Sequence, residues 1–155
     1  AVSTVIKRND ALIQLDAHWG IRPSWSKKLI INAQSETAAT KKTFSNSFSM
    51  QRCLVPCTGW YEWRDEGGSR KQKYAFSYMD SNPVLMAGIW FENADQQQLV
   101  TLTTQPNERC AEIHKRMPGL ILPGDVDVWF DDSKDKVKSL LLPISSDLIQ
   151  VEKCD

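Results

Sequence analysis

The run Gly59-Trp60-Tyr61-Glu62-Trp63 sets one carboxylate between two indoles and a phenol, at the end of an apolar stretch. Aromatic walls shed water, and poor solvation penalises an ionised carboxylate. A Glu in such a setting keeps its proton nearer neutral pH and can act as a general acid or base. The same aromatic faces can stack on nucleobases. The letters also fit an amphipathic strand whose Glu points to solvent while the tryptophans fill a core. Structural carboxylates outnumber catalytic ones, so this run does not decide between the two.

Two other residues stand beside conspicuous apolar or turn features. Asn32 follows Leu29-Ile30-Ile31, so a hydrophobic anchor positions an amide that both donates and accepts. His114 follows Ile113 and precedes Lys115-Arg116-Met117-Pro118. An imidazole at a helix end beside two cations tends to stay neutral and available as a base. Helix capping by Asn32 and a surface position for His114 fit the same patterns.

The elements that would position these groups are bounded by composition. A chain of 155 residues with 41% hydrophobic content suits one domain with a real core. Its six tryptophans are generous for that length, and each brings a large contact area. Nineteen basic residues balance nineteen acidic ones, which excludes a generally basic coat but not a local basic groove. No stretch approaches the ~18–20 apolar residues needed to span a bilayer, and no charged-then-apolar leader opens the chain. A soluble, cytoplasmic protein without membrane contact is expected. Of the four cysteines, Cys53 and Cys57 share a strand face because their separation is even, and Cys110 and Cys154 stand alone. No paired zinc-ligand spacing occurs, so small apolar fillers in a reducing compartment are expected, without metal or disulfide.

Local signals favour strands joined by turns. Residues 1–6 and 11–19 read as a hairpin closed at Arg8-Asn9-Asp10, and Pro23-Ser24-Trp25-Ser26 as loop. Residues 36–44 read as the first helix, with Ser35 as a possible cap. Residues 53–63 read as a long strand broken by Pro56 and Gly59, and Asp65-Glu66-Gly67-Gly68-Ser69 as a turn. Further strands are predicted over 74–78, 84–91 and 99–104. Asn107 is placed to cap a short helix through Ile113, and short helices are predicted over 125–130 and 134–142. The expected class is α+β, a strongly bent, mostly antiparallel, barrel-like sheet with a few short helices in a single domain over residues 1–155.

In order along the chain stand Asn32-Ala33-Gln34-Ser35-Glu36-Thr37, then Gly59-Trp60-Tyr61-Glu62-Trp63, then Ile113-His114-Lys115-Arg116-Met117-Pro118. Together they closely resemble the SOS-response-associated peptidase (SRAP) family, the abasic-site processing proteins that link covalently to damaged single-stranded DNA. Trp19-Gly20-Ile21-Arg22-Pro23-Ser24-Trp25 is similar to the family's early Trp-Gly…Pro…Trp segment, and residues 84–89 and 100–104 to its central strands. The resemblance covers nearly the whole chain. It implies that a mature N-terminal cysteine, exposed by autoproteolysis, attacks the aldehyde of a ring-opened abasic sugar and closes a thiazolidine. By resemblance Glu62 handles protons in ring opening and imine formation. Asn32 holds the N-terminal residue and the sugar, and His114 assists proton transfer and reversal. Imine formation does need a neutral amine, a proton for the departing water and a site that excludes competing nucleophiles.

Two departures stand out. The chain opens Ala1-Val2-Ser3, without the family's Cys-Gly-Arg opening or its Asn-Xaa-Ala-Pro run, so a leading segment before Ala1 is expected in the complete protein. Gln34 stands where the family carries an arginine that contacts phosphate. By resemblance, Trp25, Gln34, Lys41, Lys42, Trp63, Lys115 and Arg116 are the expected DNA-binding residues. Lys27-Lys28 are expected along the same groove, Lys41 and Lys42 are expected on the first helix, and Trp25 and Trp63 are expected to stack on bases. Solvated surface is the other reading of any single lysine. Trp19 and Trp60 are expected in the core, Arg64, Arg70, Lys71 and Lys73 at a soluble hairpin tip, and His18 without a role. The expected protein is a monomer whose partner is single-stranded DNA with abasic sites, at the nucleoid when bound, with no cofactor. Its rivals are a single-stranded DNA-binding module without chemistry and a hydrolase using Glu62 and His114 on a small substrate.

Overall fold

The computed structural model describes residues 1–155. Strands β1 (Val2–Arg8) and β2 (Ala11–Trp19) form the predicted hairpin. Asn9 and Asp10 turn it with positive φ values of 53° and 62°, a conformation these two residue types tolerate. Strand β3 (Asn32–Gln34) leads into helix α1 (Ser35–Ala38), and helix α2 (Ser45–Met50) into strand β4 (Arg52–Cys57). Then come β5 (Trp60–Arg64), β6 (Gln72–Tyr78), β7 (Val84–Asn93) and β8 (Gln96–Thr104). Helix α3 (Glu108–Ala111), strand β9 (Met117–Pro118), helices α4 (Val126–Asp131) and α5 (Lys134–Val137), and strand β10 (Ile149–Lys153) complete the chain.

Strands run in the order β2-β1-β4-β7-β8, and β8 pairs back onto β2 at His18↔Gln98 and Trp19↔Leu99, which closes a barrel-like sheet. Pairing is antiparallel except that β2 and β3 both run parallel to β8. Strands β10, β6 and β5 form a second antiparallel sheet. Its inner face carries Trp60, Phe76 and Ile149 into one core with Ile6, Val55 and Leu99 of the barrel. A second core lies where α1, α2, α4 and α5 cover the barrel, around Phe48, Trp129, Leu102 and Val137. The architecture is α+β, as expected.

The expected strand over 53–63 is two strands in two sheets. The chain leaves the barrel after Cys57 and enters the second sheet at Trp60. The expected helix over 36–44 lasts one turn. Gln34, not Ser35, occupies the cap position, and Lys41 and Lys42 lie exposed in the turn that follows, not on a helix. Helix α2 was not foreseen, since Ser45-Asn46-Ser47-Phe48-Ser49-Met50 has weak helical propensity. Tertiary packing holds it. Phe48 is fully buried edge-on to Trp129, and buried Arg52 donates to the carbonyls of Phe48, Trp129 and Asp132, tying α2 to α4. Asn107 caps α3 as predicted, its Oδ1 accepting from the Cys110 amide at 2.8 Å.

Gly59 is the joint between the two sheets. A Cβ added there would lie 2.0 Å from the Phe76 carbonyl oxygen, so only glycine lets β5 start flush against β6. Gly59→Ala is expected to destabilise the protein by at least about 2 kcal/mol and to displace Glu62. Urea unfolding together with amide hydrogen exchange of residues 60–64 checks this. A loss of stability with unchanged protection over 60–64 would place the strain elsewhere.

Candidate active site

A cleft of about 490 Å³ opens between the two sheets and brings Asn32, Glu62 and His114 to one wall-to-wall space. Each arrives by a different route. Trp60 and Glu62 share a face of β5 because strand side chains alternate. Trp60 is buried on Phe76, with ring centroids 5.2 Å apart and planes 11° from parallel, and the stack leaves the Glu62 carboxyl half-buried beside it. Asn32 is held on β3 by its pairing to Thr101 of β8, and the Trp19 indole donates to the Ile31 carbonyl at 2.9 Å just before it. His114 follows α3, where its amide donates to the Cys110 carbonyl at 3.0 Å.

His114 Nε2 lies 3.5 Å from Glu62 Oε2. Burial raises the Glu62 carboxyl above the usual carboxylate range, and the facing imidazole partly offsets the rise. The other ring nitrogen meets the Arg116 peptide. Nδ1 lies 3.1 Å from the Arg116 carbonyl oxygen and 3.2 Å from the Arg116 amide nitrogen. A protonated Nδ1 donates to the carbonyl, and an unprotonated one accepts from the amide. The ring is therefore supported in both tautomers, which suits a group that passes a proton to and from Glu62. Behind Glu62, the buried Cys110 thiol is pushed up to about 11, first by burial and then by the Glu62 charge, so it is inert as a nucleophile.

Residues 1–154 match the family described as SOS response associated peptidase (SRAP). The chain belongs to the SRAP family. The abasic site processing protein YoqW of Bacillus subtilis is 30% identical over 142 residues, covering 83% of this chain and 63% of YoqW. The abasic site processing protein YedK of Escherichia coli is 31% identical over 131 residues, covering 81% of this chain and 59% of YedK. The chain thus spans about three fifths of these curated relatives. The crystal structure of a Bacteroides thetaiotaomicron protein is similar with a TM-score of 0.81 at 26% identity, covering 97% of this chain and 72% of that one.

Of the other expected SRAP site residues, Gln34 and Arg116 line the same cleft. Trp25, Lys41, Lys42, Trp63 and Lys115 are exposed outside it. Trp25 is 68% exposed, and Trp63 stands beside Tyr61, with Lys73 Nζ 4.0 Å from the Tyr61 ring centre. Trp19 was expected in the core and is 37% exposed at the rim of the barrel, its indole over the start of β3. Trp60 is core, as expected, and also lines the cleft, where its Nε1 is buried without a hydrogen-bond partner.

Glu36 is the residue that sequence reasoning passed over. It lies within Asn32-Ala33-Gln34-Ser35-Glu36-Thr37, but its partner is 80 positions away. Arg116 grips it in a two-pronged pair, Nη1 to Oε2 at 2.8 Å and Nη2 to Oε1 at 2.7 Å, and also donates to the Thr103 carbonyl at 2.9 Å. The pair ties the His114 loop to α1 and offsets the one cation that lines the cleft. It also holds the Glu36 carboxyl down to about 2, against an ordinary 4.5. A depressed carboxyl stabilises the fold above its ordinary value, and that stability is lost as pH falls toward 2. At a side chain 41% exposed, solvent screening leaves about 0.5–1 kcal/mol. Glu36→Gln is therefore expected to cost that amount at pH 7 and nothing near pH 2. Urea titrations across this range check it, and an equal loss at both ends would assign the effect to packing.

Proposed function

We propose that the Asn32–Glu62–His114 cleft processes abasic sites in single-stranded DNA, as part of a protein whose mature first residue is a cysteine. The observation that carries this reading is the meeting of Glu62 and His114 at 3.5 Å in a cleft shared with Asn32. The similarity to YoqW and YedK, both abasic site processing proteins, supports it. In this reading the α-amine of the cysteine adds to the C1′ aldehyde of the ring-opened sugar. Glu62, whose carboxyl holds its proton more tightly because it is buried, gives that proton to the departing hydroxyl, and water leaves to form the imine. The cysteine thiol then adds across the C=N bond, its sulfur to carbon and its proton to nitrogen, and a thiazolidine closes. Asn32 holds the cysteine and the sugar through its amide. His114 takes and returns the proton of Glu62, and in reversal it helps carry the ring N–H proton back to the sulfur as the C–S bond breaks and the imine re-forms. Self-cleavage that exposes the cysteine is the peptidase part of the same proposal.

The DNA path runs over the exposed aromatic and basic groups around the cleft. Trp25 and Trp63 stack on bases, and Lys41, Lys42 and Lys115, none of them in an ion pair, meet phosphates. Gln34 contributes a neutral donor where an arginine would contribute charge. Arg116 spends its charge on Glu36, so it positions the loop rather than attracting the strand. Bound in this way, the protein sits at the nucleoid of the cytoplasm.

The cross-link needs an amine and a thiol on one residue, and the four cysteines of the present chain are all internal. The cysteine-initiated protein is expected to give a heat-stable band with abasic single-stranded DNA on a denaturing gel, and the chain beginning at Ala1 none. Glu62→Gln should slow formation by roughly 10²–10⁴-fold, while His114→Ala should slow release onto competitor DNA more than formation. A strong shifted band from the Ala1 chain would defeat the N-terminal cysteine mechanism.

Non-covalent binding tests the path separately. Each phosphate contact adds about −0.7 to the slope of log affinity against log salt on a single strand, so three lysines give a slope near −2. Trp25→Ala should weaken binding by about 1–3 kcal/mol and leave the slope almost unchanged. Titrations of labelled single-stranded DNA at several salt concentrations separate the two effects. A flat salt dependence, or full affinity in Trp25→Ala, would remove the path.

A further inference from the structure

Glu62 and His114 come from different parts of the molecule. Glu62 sits on β5 of the second sheet, and His114 on the loop between α3 and β9, on the barrel side. No backbone pairing joins β5 to that loop. Two side-chain contacts do. One is the Glu62–His114 contact itself, and the other is a hydrogen bond from Arg64 Nη1 to the Glu112 carbonyl oxygen at 2.8 Å. The first cannot fix its own geometry, because its attraction changes with every proton it passes. The second does not titrate, since a guanidinium stays charged.

We infer that Arg64 is a positioning residue that holds the His114 loop at its distance from the Glu62 carboxyl. Arg64 lies two residues after Glu62 on the same face of β5. Its head group is fixed by the neighbouring strand. Nη2 donates to Tyr74 Oη at 2.8 Å and to Glu66 Oε2 at 3.0 Å, and the guanidinium carbon lies 5.1 Å from the Tyr74 ring centre. Tyr74 is buried and is the register partner of Glu62 on β6, and its hydroxyl also bonds Glu66 at 3.0 Å. The remaining prong is thereby aimed at Glu112, two residues before His114. On the far side the loop is closed by the Cys110 carbonyl on the His114 amide and by Arg116 on Glu36 and Thr103. An ordinary hairpin-tip ion pair would join Arg64 to Glu66 and stop there. The bond to Glu112 reaches another element, and the fork geometry that serves three acceptors at once belongs to arginine and not to lysine.

The test follows the Glu62 carboxyl by ¹³C NMR across pH in the full chain. The facing His114 holds the Glu62 midpoint down, so His114→Gln raises it. In an Arg64→Met background the same His114→Gln change is expected to move the midpoint by no more than about half as much, because the two groups no longer face each other at a fixed distance. Arg64→Lys, which keeps the charge without the fork, is expected to show the same weakening. Unaltered His18 resonances and a cooperative thermal transition report an intact fold in each variant. An undiminished effect of His114→Gln in Arg64→Met, or full coupling in Arg64→Lys, overturns the inference. The readout involves no DNA. Absent cross-linking with intact coupling would count against the proposed function alone.

Discussion

The site depends on β8 and β7 parting company at Gly88. Their last register pair is Gly88↔Thr101, and beyond it the stretch Met117–Leu120 enters between them. Backbone groups of a parted sheet must find partners, because a buried orphan costs as much as a lost hydrogen bond. Here the inserted chain supplies them. Gly119 donates to Leu102 and accepts from Ala87, and Ile121 donates to Leu85. On its other edge β8 receives β3, which carries Asn32 and Gln34. One strand therefore sets both the amide and the imidazole of the cleft, and Gly88 permits the close approach at the fork. A Cβ there would lie 2.9 Å from the Cys53 sulfur and 3.1 Å from the Val100 carbonyl oxygen.

Glu62 in the cleft and Glu36, paired with the Arg116 that lines it, illustrate how environment divides labour between identical groups. Glu36 is gripped by Arg116 and stays ionised to about pH 2, so it serves as a fixed anchor for the loop. Glu62 has no cationic partner of fixed charge and is partly buried in the cleft, so its proton leaves at higher pH than usual. Pushing two carboxyls apart in this way yields one structural anion and one exchangeable acid. Because Glu36 offsets Arg116, the cleft itself carries little net cation, in keeping with a chain whose formal charge is zero.

What the sequence revealed and what it hid divide along physical lines. The hairpin at Asn9-Asp10, the cap at Asn107 and the turn after Trp63 are local chemistry, and they appear where the letters place them. The convergence of Asn32, Glu62 and His114 was legible only because three motifs occur in family order, since nothing local to any of them points to the others. Interactions that join distant segments stayed hidden. Arg116 reads as a free cation until the fold sets Glu36 beside it, and Arg64 reads as a hairpin tip until Glu112 arrives from the barrel side. Strand β10 exists because Ile149 and Val151 pair with Tyr78 and Phe76 across the molecule. Trp19 has the strand parity of buried Ala17, yet it lies at the last register pair with β8, where the barrel wall ends and the indole turns to Ile31.

Trp60 links the stability of this fold to its chemistry. Its stack on Phe76 holds β5 to β6 with Gly59 pressed on the same residue, and the same strand face carries Glu62 into the cleft, where burial raises its carboxyl. Half-burying a carboxyl is unfavourable, and a protein selected for stability alone would carry a neutral side chain at this place on β5. The hairpin tolerates the cost because the next turn of the strand is braced by Arg64, Tyr74 and Glu66, a cluster in which every charge has a partner. A poorly solvated acid thus shares its strand with a tight stack before it and a saturated ion cluster after it. Destabilisation concentrated at one carboxyl and offset by its immediate neighbours is the pattern expected where a proton must be exchanged rather than stored.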